Sequence, residues 1–326
     1  MSPIRPIPLL SPPLSLPLLF FALSPFLPAA KADNARAMKQ MIEKAKVLVE
    51  ALPHIQRFRG ETIVVKFGGS SMDDPEQVRR ILGDIAFMSC AGLRPVIVHG
   101  GGKAINARLR MQNISATFLK GLRVTDDATI AVVEHVLNKG VNPELVRILN
   151  GMSCPARGIH GEDIVRCRKH ADPADPSLDW GWVGDVTSVD VVPIQAYLAA
   201  GLTPVVTPLG SDDDGNVFNI NADAAAAGIA AGLKARKLVF LSDVPGLLRN
   251  PDDRDSLMST LRLSEVEDLI RAEVIRGGML PKIAGALDAL RSGVRKTHII
   301  DAALPHSLLL ELFTDQGVGT EILANE

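Results

Sequence analysis

The sequence predicts an α/β fold: a three-layer αβα sandwich with helices on both faces of a mainly parallel central sheet. Three observations lead there. After Gly60, short β-branched runs alternate with amphipathic helical runs. Each short run is bounded by Gly, Pro or Asp, as buried strands are. The order strand, helix, strand, helix requires crossover connections, which make neighbouring strands parallel and place helices on the sheet's faces.

Composition narrows the function before any motif is read. The chain has 326 residues, 47% of them hydrophobic and 22% charged, so it can bury a sizeable core and is neither disordered nor collagen-like. Lys plus Arg total 35 against 37 Asp plus Glu, a net charge of −2, which leaves no electropositive field for nucleic acid. Cys90, Cys154 and Cys167 are too few for a disulfide scaffold and lack CxxC spacing, so they are expected to be reduced thiols.

Residues 1–32 read as a targeting peptide. They contain no acidic residue and eight of the 22 prolines by residue 31, and Ala30-Lys31-Ala32 offers a cleavage site. The apolar stretch Leu14 to Leu23 contains Pro17 and is too short to span a bilayer, so no membrane association is expected. From a cap at Asp33, Met38, Met41, Ile42, Ala45, Leu48, Val49 and Leu52 form one stripe on a helix of about five turns that stops at Pro53. That stripe faces either its own domain or another subunit.

The strands expected in the body are Thr62 to Val65, Pro95 to Val98, Pro204 to Val206, Leu238 to Leu241 and His298 to Ile300. Asp74-Pro75 starts a helix bearing Val78, Ile81, Leu82 and Ile85, and Ser264 with Glu267 reads as a capping box. Residues 167–185, with Asp172-Pro173 and Asp175-Pro176, break the pattern and are expected to form an exposed excursion.

Two glycine loops follow strands: Lys66-Phe67-Gly68-Gly69-Ser70-Ser71 and His99-Gly100-Gly101-Gly102. Glycine lets backbone N–H groups approach an anion, and a following helix adds its positive end. Each loop alone is an ordinary strand-to-helix turn; two on one sheet edge point to phosphate handling. Neither fits GxxxxGK[ST] or GxGxxG, and the chain has no GxSxG, HExxH or protein-kinase signature set, with no metal-ligating residues singled out. Phosphoryl transfer needs cations on the moving group and little covalent chemistry. Lys66 at a strand end and Lys282 at a Gly-rich helix start can supply them. Asp223, opening an Ala-rich helix, can hold two ammonium groups, and Arg123 can grip a carboxylate.

Six runs carry a resemblance to a known family: Lys66-Phe67-Gly68-Gly69, His99-Gly100-Gly101-Gly102, Gly121-Leu122-Arg123-Val124-Thr125, Asn219-Ile220-Asn221-Ala222-Asp223, Ser242-Asp243-Val244-Pro245-Gly246 and Gly277-Gly278-Met279-Leu280-Pro281-Lys282. In that order they resemble the motifs of the N-acetyl-L-glutamate kinases, within the amino acid kinase family, over nearly all of residues 45–324. The resemblance implies the amino acid kinase fold, with a lobe at 60–209 for acetylglutamate binding and dimerisation and a lobe at 210–326 for ATP and arginine. It implies MgATP-dependent phosphorylation of the γ-carboxylate of N-acetyl-L-glutamate on the way to arginine. Lys66 and Lys282 would then stabilise the moving phosphoryl group and Asp223 would orient both. Gly69, Gly101 and Gly102 would donate backbone N–H groups; Arg123, Asn219 and Asn221 would bind substrate. ATP would meet Lys66, Gly68, Gly69, Ser242, Asp243, Val244, Gly246, Gly278, Met279 and Lys282.

The run Ala51-Leu52-Pro53-His54-Ile55 resembles the end of the N-terminal helix in arginine-inhibited members, with His54 where an aromatic residue is usual. In those members the helix, here 33–59, interlaces dimers into a hexamer, a trimer of dimers. Lys237, His298, Glu311, Gly317 and Gly319 match the rest of that family's L-arginine pocket. Phe58-Arg59-Gly60, Gly92-Leu93-Arg94-Pro95 and the leader resemble plant and algal versions, which implies a plastid location and the PII signalling protein as a partner; a mitochondrial or secretory leader is the alternative. The chain departs from the family at Lys103, where Pro is usual, at Glu162, and in the longer 167–185 segment. Two rival readings remain: another kinase of this fold, such as one acting on free glutamate, and a catalytically silent arginine sensor.

Overall fold

The computed structural model describes residues 27–172, 175–250 and 252–324. The chain divides into two compact units, one reaching to Glu50 and the other covering Ala51–Glu326. The leader up to residue 26 lies outside the described residues, as do residues 173 and 174 of the expected excursion. No helix among the described residues is long and apolar enough to cross a membrane.

Helix α1 runs Leu27–Phe58, longer at both ends than its apolar stripe. Asp33 is therefore inside the helix and is not its cap. The preceding Ala29-Ala30-Lys31-Ala32 are strong helix formers that carry the helix upstream. Pro53 does not end it either. Proline removes one N–H, and the carbonyl left without a partner belongs to exposed Val49, where water can satisfy it. Met38, Met41, Ile42, Leu48 and Val49 are 48–68% exposed.

In the second unit the chain forms β1 (Thr62–Phe67), α2 (Pro75–Cys90), β2 (Arg94–His99) and α3 (Gly102–Met111). A short hairpin follows, β3 (Phe118–Leu119) with β4 (Leu122–Arg123), then α4 (Asp127–His135), a π-helical turn at Val136–Val141, and α5 (Asn142–Gly151). Next come β5 (Ala156–Ile159), β6 (Val165–Lys169), β7 (Val183–Val189), α6 (Val192–Ala199), β8 (Thr203–Val206), β9 (Leu209–Ser211), β10 (Val217–Ile220) and α7 (Ala222–Gly232). The chain ends through β11 (Lys237–Ser242), β12 (Thr260–Arg262), α8 (Val266–Arg271), α9 (Met279–Arg291), β13 (Lys296–Asp301), α10 (Ser307–Phe313) and β14 (Thr320–Leu323).

Eight strands form the central sheet in the order β12-β14-β13-β11-β1-β2-β8-β5. All neighbours are parallel except β13 with β14. The five strands expected from sequence are its five adjacent central members. Side chains of β1 alternate across it. Ile63, Val65 and Phe67 join Ile81, Leu82 and Ile85 of α2 in one apolar cluster. Val64 joins Ala225, Ala226 and Ile229 of α7 and Ala286 of α9 in another. The sandwich is thus an α/β three-layer one, as the alternation predicts.

Asp74 caps α2 by accepting a hydrogen bond from the Glu76 N–H at 2.9 Å. The second predicted cap is displaced. A short 3₁₀ turn at Leu263–Glu265 precedes α8, and Glu265, in place of Glu267, reaches back to accept from the Arg262 N–H at 2.8 Å. Residues 167–185 also differ from expectation. Their ends belong to β6 and β7, which pair antiparallel within a small closed sheet ordered β10-β7-β6-β9. Cys167 is buried, and Trp180 is 1% exposed, donating its indole N–H to Leu119 O at 3.2 Å. The alternation Val165, Cys167 in and Arg166, Arg168 out is a half-buried strand pattern that the neighbouring Asp-Pro pairs obscure. The three cysteines are unpaired, Cys90 exposed and the other two buried.

Candidate active site

Parallel register places the ends of β1, β2 and β11 at one sheet edge, with Phe67 opposite His99 and Lys66 opposite Phe240. Ligand sites in such sheets form where strands deliver loops at their carboxyl ends. The two glycine loops pack there backbone against backbone. Gly100 N–H donates to Phe67 O at 2.7 Å, and a Cβ on Gly68 would stand 3.0 Å from Gly100 N. Gly69 sits at φ +76°, a conformation that favours glycine.

Three distant parts of the chain meet on this edge. Asp223 lies in the first turn of α7, fixed by Asn221, whose side-chain oxygen accepts from the Asp223 N–H at 2.8 Å. Lys66 Nζ is 3.0 Å from Asp223 Oδ1, and Lys282 Nζ, from the first turn of α9, is 2.9 Å from Oδ2. Lys66 and Asp223 are 7% and 6% exposed, so these are buried pairs. Burial pulls the Lys66 pKa down, Asp223 opposes that, and Lys282 reinforces it. For Asp223, burial alone would push the pKa up; the two ammonium groups overcome it and hold the carboxyl below its usual range.

Two cavities flank the trio and share Lys66 and Gly69 as a common wall. One, of about 490 Å³, is lined by Gly68, Ser242, Asp243, Val244, Gly246, Gly278, Met279 and Lys282, every residue expected to meet a nucleotide. The other, of about 360 Å³, is lined by Gly101, Gly102, Arg123, Asn219, Asn221 and Asp223. Arg123 is buried, with Nη2 donating to Gly102 O at 3.3 Å and its guanidinium 4.7 Å from the Phe118 ring centroid. Its Nη1 is buried without a hydrogen-bond partner, and burial lowers its pKa. A guanidinium in that state is a ready receptor for a carboxylate. Asn219 donates to Thr125 Oγ1 at 3.2 Å, which ties β10 to the segment after β4.

A third cavity, also about 490 Å³, gathers His54, Lys237, Glu311, Gly317 and Gly319. His298 lies behind it, with Nδ1 2.7 Å from Glu311 Oε1. Glu311 Oε2 accepts from the Val318 N–H at 3.0 Å, and Lys237 Nζ stands 5.2 Å from the Phe58 ring centroid. Burial draws the Lys237 pKa down to about 8, although Glu311 and Glu321 pull it upward.

Sequence reasoning missed several contributors. Arg276 and Val274 line the cavity beside Ser242 and Gly278, and Phe118 and Leu137 the one beside Arg123. Arg276 adjoins Gly277-Gly278 and was legible as a neighbour of that motif; Phe118 and Leu137 carry no local signal. Lys103 forms an ion pair with Asp73, linking the segments after the two glycine loops.

Residues 61–301 match the sequence model of the amino acid kinase family. Acetylglutamate kinase of Syntrophomonas wolfei is 45% identical over 86% of this chain and 98% of its own, and that of Carboxydothermus hydrogenoformans 44% identical over 87% and 99%. N-acetylglutamate synthase of Neisseria gonorrhoeae, complexed with coenzyme A and N-acetyl-glutamate, superposes with TM-score 0.76 at 29% identity. That match takes in 86% of this chain and 64% of the synthase. The same synthase complexed with coenzyme A and L-arginine gives TM-score 0.72 at 27% identity, covering 86% and 65%. With likeness of this depth over nearly the full length of the two bacterial kinases, the chain belongs to the amino acid kinase family, among the acetylglutamate kinases.

Proposed function

We propose that this chain transfers the γ-phosphoryl group of ATP to the γ-carboxylate of N-acetyl-L-glutamate, giving ADP and N-acetyl-L-glutamyl 5-phosphate for arginine biosynthesis. The observation that carries this reading is the Lys66–Asp223–Lys282 trio on the wall between the two cavities. ATP occupies the cavity beneath Ser242 to Gly246 and Gly278. The acetylated dicarboxylate occupies the other, its α-carboxylate on Arg123 and Asn219. A γ-carboxylate oxygen attacks the γ-phosphorus while the bond to the ADP oxygen breaks. The acceptor is already ionised near neutral pH, so no base is needed.

Lys66 and Lys282 meet the charge that spreads over the equatorial oxygens in the loose transition state, and Asp223 keeps their ammonium groups apart and aimed. Backbone N–H groups of Gly69, Gly101 and Gly102 supplement them. Mg²⁺ would ride on the nucleotide and neutralise its phosphates. A cation carried in this way is ligated mainly by phosphate and water, with a carboxylate at hand. Asp243 is the carboxylate lining that cavity.

The third cavity supports feedback inhibition by L-arginine, with Glu311 facing the guanidinium and Lys237 the carboxylate. The exposed apolar stripe on α1 supports interlacing of dimers into hexamers. Division into an acceptor lobe at 60–209 and a nucleotide lobe at 210–326, a plastid address and a PII partner complete the reading. A coupled ADP-release assay tests it: turnover with N-acetyl-L-glutamate far above that with free glutamate is expected, and equal or absent turnover refutes it. Arginine titration in that assay and sizing of the protein test the regulatory part.

A further inference from the structure

His99 ends β2 and opens the triple-glycine loop, yet it lines neither reaction cavity. It is fully buried. Its ring has two polar contacts: Nδ1 is 2.8 Å from Gly100 O, and Nε2 is 3.1 Å from Nδ2 of Asn142. Asn142, the first residue of α5, is 2% exposed and donates from the same Nδ2 to Val205 O of β8 at 2.9 Å.

These contacts determine where every proton sits. Val205 O can only accept, so the amide nitrogen of Asn142 must face it. That nitrogen has two protons, and the second points to His99 Nε2. A ring nitrogen facing a donor must be bare, so the imidazole proton is on Nδ1 and is donated to Gly100 O. A doubly protonated ring would set N–H against N–H. Burial in this setting lowers the His99 pKa to about 4, in line with the same exclusion. In a trans peptide the carbonyl and the following N–H point in opposite directions. With the Gly100 carbonyl turned to the buried ring, the Gly101 N–H points away from it.

The surroundings are shaped to keep this arrangement. Asn142 directly follows the π-helical turn at Val136–Val141, and such turns re-aim the residues beside them. Leu137 of that turn packs on the loop so closely that a Cβ on Gly101 would stand 2.6 Å from its Cδ2. Across the sheet, a Cβ on Gly158 of β5 would lie 2.1 Å from Asn142 Oδ1, so glycine there makes room for the amide.

We infer that His99 and Asn142 form a positioning pair in which the Val205 carbonyl, through the Asn142 amide, locks the His99 tautomer and so aims the Gly101 N–H at the acceptor side of the phosphoryl-transfer site. The inference rests on the proposed kinase reaction. Neither residue touches substrate; both act through the peptide between Gly100 and Gly101.

The test uses the full chain. In ¹⁵N-histidine spectra of the wild type, His99 is expected as the neutral Nδ1–H tautomer at every pH from about 5.5 to about 9. An Nε2–H tautomer, or titration within that range, overturns the inference without reference to activity. In the coupled assay, His99→Leu and Asn142→Leu should lower kcat about 10- to 100-fold. KM for ATP should stay within about threefold, because the nucleotide-side cavity holds none of these groups. His99→Asn, whose amide can still donate to Gly100 O, should recover most of the kcat lost in His99→Leu. Equal loss in both His99 variants, or a rise in KM for ATP matching the fall in kcat, overturns it. A wild type inactive on N-acetyl-L-glutamate refutes the kinase reading instead, and the spectra still decide the tautomer.

Discussion

Lys66 and Lys282 approach opposite oxygens of a single carboxylate, Asp223, at 3.0 and 2.9 Å, from the first strand of the sheet and the first turn of α9. Two cations this close in a buried site repel each other unless an anion stands between them. Replacing either lysine by Ala is expected to lower kcat about 100- to 1,000-fold with a much smaller effect on folding. Steady-state kinetics beside a thermal melt measure both, and unchanged turnover in Lys282→Ala removes it from the mechanism.

Asp223→Asn should act through charge as well as geometry. Asp223 raises the Lys66 pKa against the lowering caused by burial, so without the anion Lys66 loses its proton at lower pH. The alkaline fall of kcat, followed from about pH 6 to about pH 10, should therefore move towards acid in the variant. An alkaline limb that stays in place contradicts the pairing. The same carboxylate stabilises the fold above its unfolded pKa, and that contribution disappears as pH falls through its depressed folded value.

Lys237, with its pKa drawn down to about 8, should make arginine inhibition pH-dependent. Below that pH the cation is present to meet a carboxylate; above it the charge is lost. The arginine concentration for half-inhibition is expected to rise about tenfold from pH 7 to pH 9. Lys237→Arg, which keeps its charge throughout, should flatten that rise, and a wild-type response independent of pH would remove Lys237 from the ligand's contacts.

Gly158→Ala tests the space beside Asn142. Its Cβ would lie 2.1 Å from the amide oxygen, and the β8 carbonyl leaves that amide little freedom to yield. A loss of about 1–3 kcal/mol in unfolding free energy is expected, together with a fall in kcat. Denaturant titration measures the first; a variant as stable as the wild type would mean the amide relocates freely.

Val49→Glu places a charge on the exposed stripe of α1. Sedimentation of the variant should give a smaller assembly than the wild type while turnover on N-acetyl-L-glutamate persists. An assembly of unchanged size would separate α1 from oligomerisation.

Much of the site was legible because glycine and proline punctuate the motifs. Lys66, Asp223 and Lys282 each sit where a strand or loop hands over to a helix. β1 delivers Lys66 to the carboxyl edge of the central sheet, while α7, entered from the small closed sheet, and α9, entered from a loop after α8, bring the other two to it. What escaped depends on solvent exposure or on contacts remote in sequence. Pro53 continues a helix because the carbonyl it deprives of a partner faces solvent. Cys167 is buried because β6 and β7 close a small sheet with β9 and β10, and Trp180 because it reaches Leu119 and packs on His170, contacts invisible in a Pro-broken stretch. His99 gains its role from a carbonyl on β8, which no local pattern near residue 99 reveals.

The strand order has a further consequence for how the chain is made. β14 lies between β12 and β13, antiparallel to β13 and parallel to β12, and supplies the hydrogen bonds that join β12 to the rest. During synthesis, β12 therefore has no place in the sheet until residues 320–323 have left the ribosome, however early its own residues emerge. Nascent chains stalled just short of that point should present an open strand edge to chaperones, and a few added residues should close it.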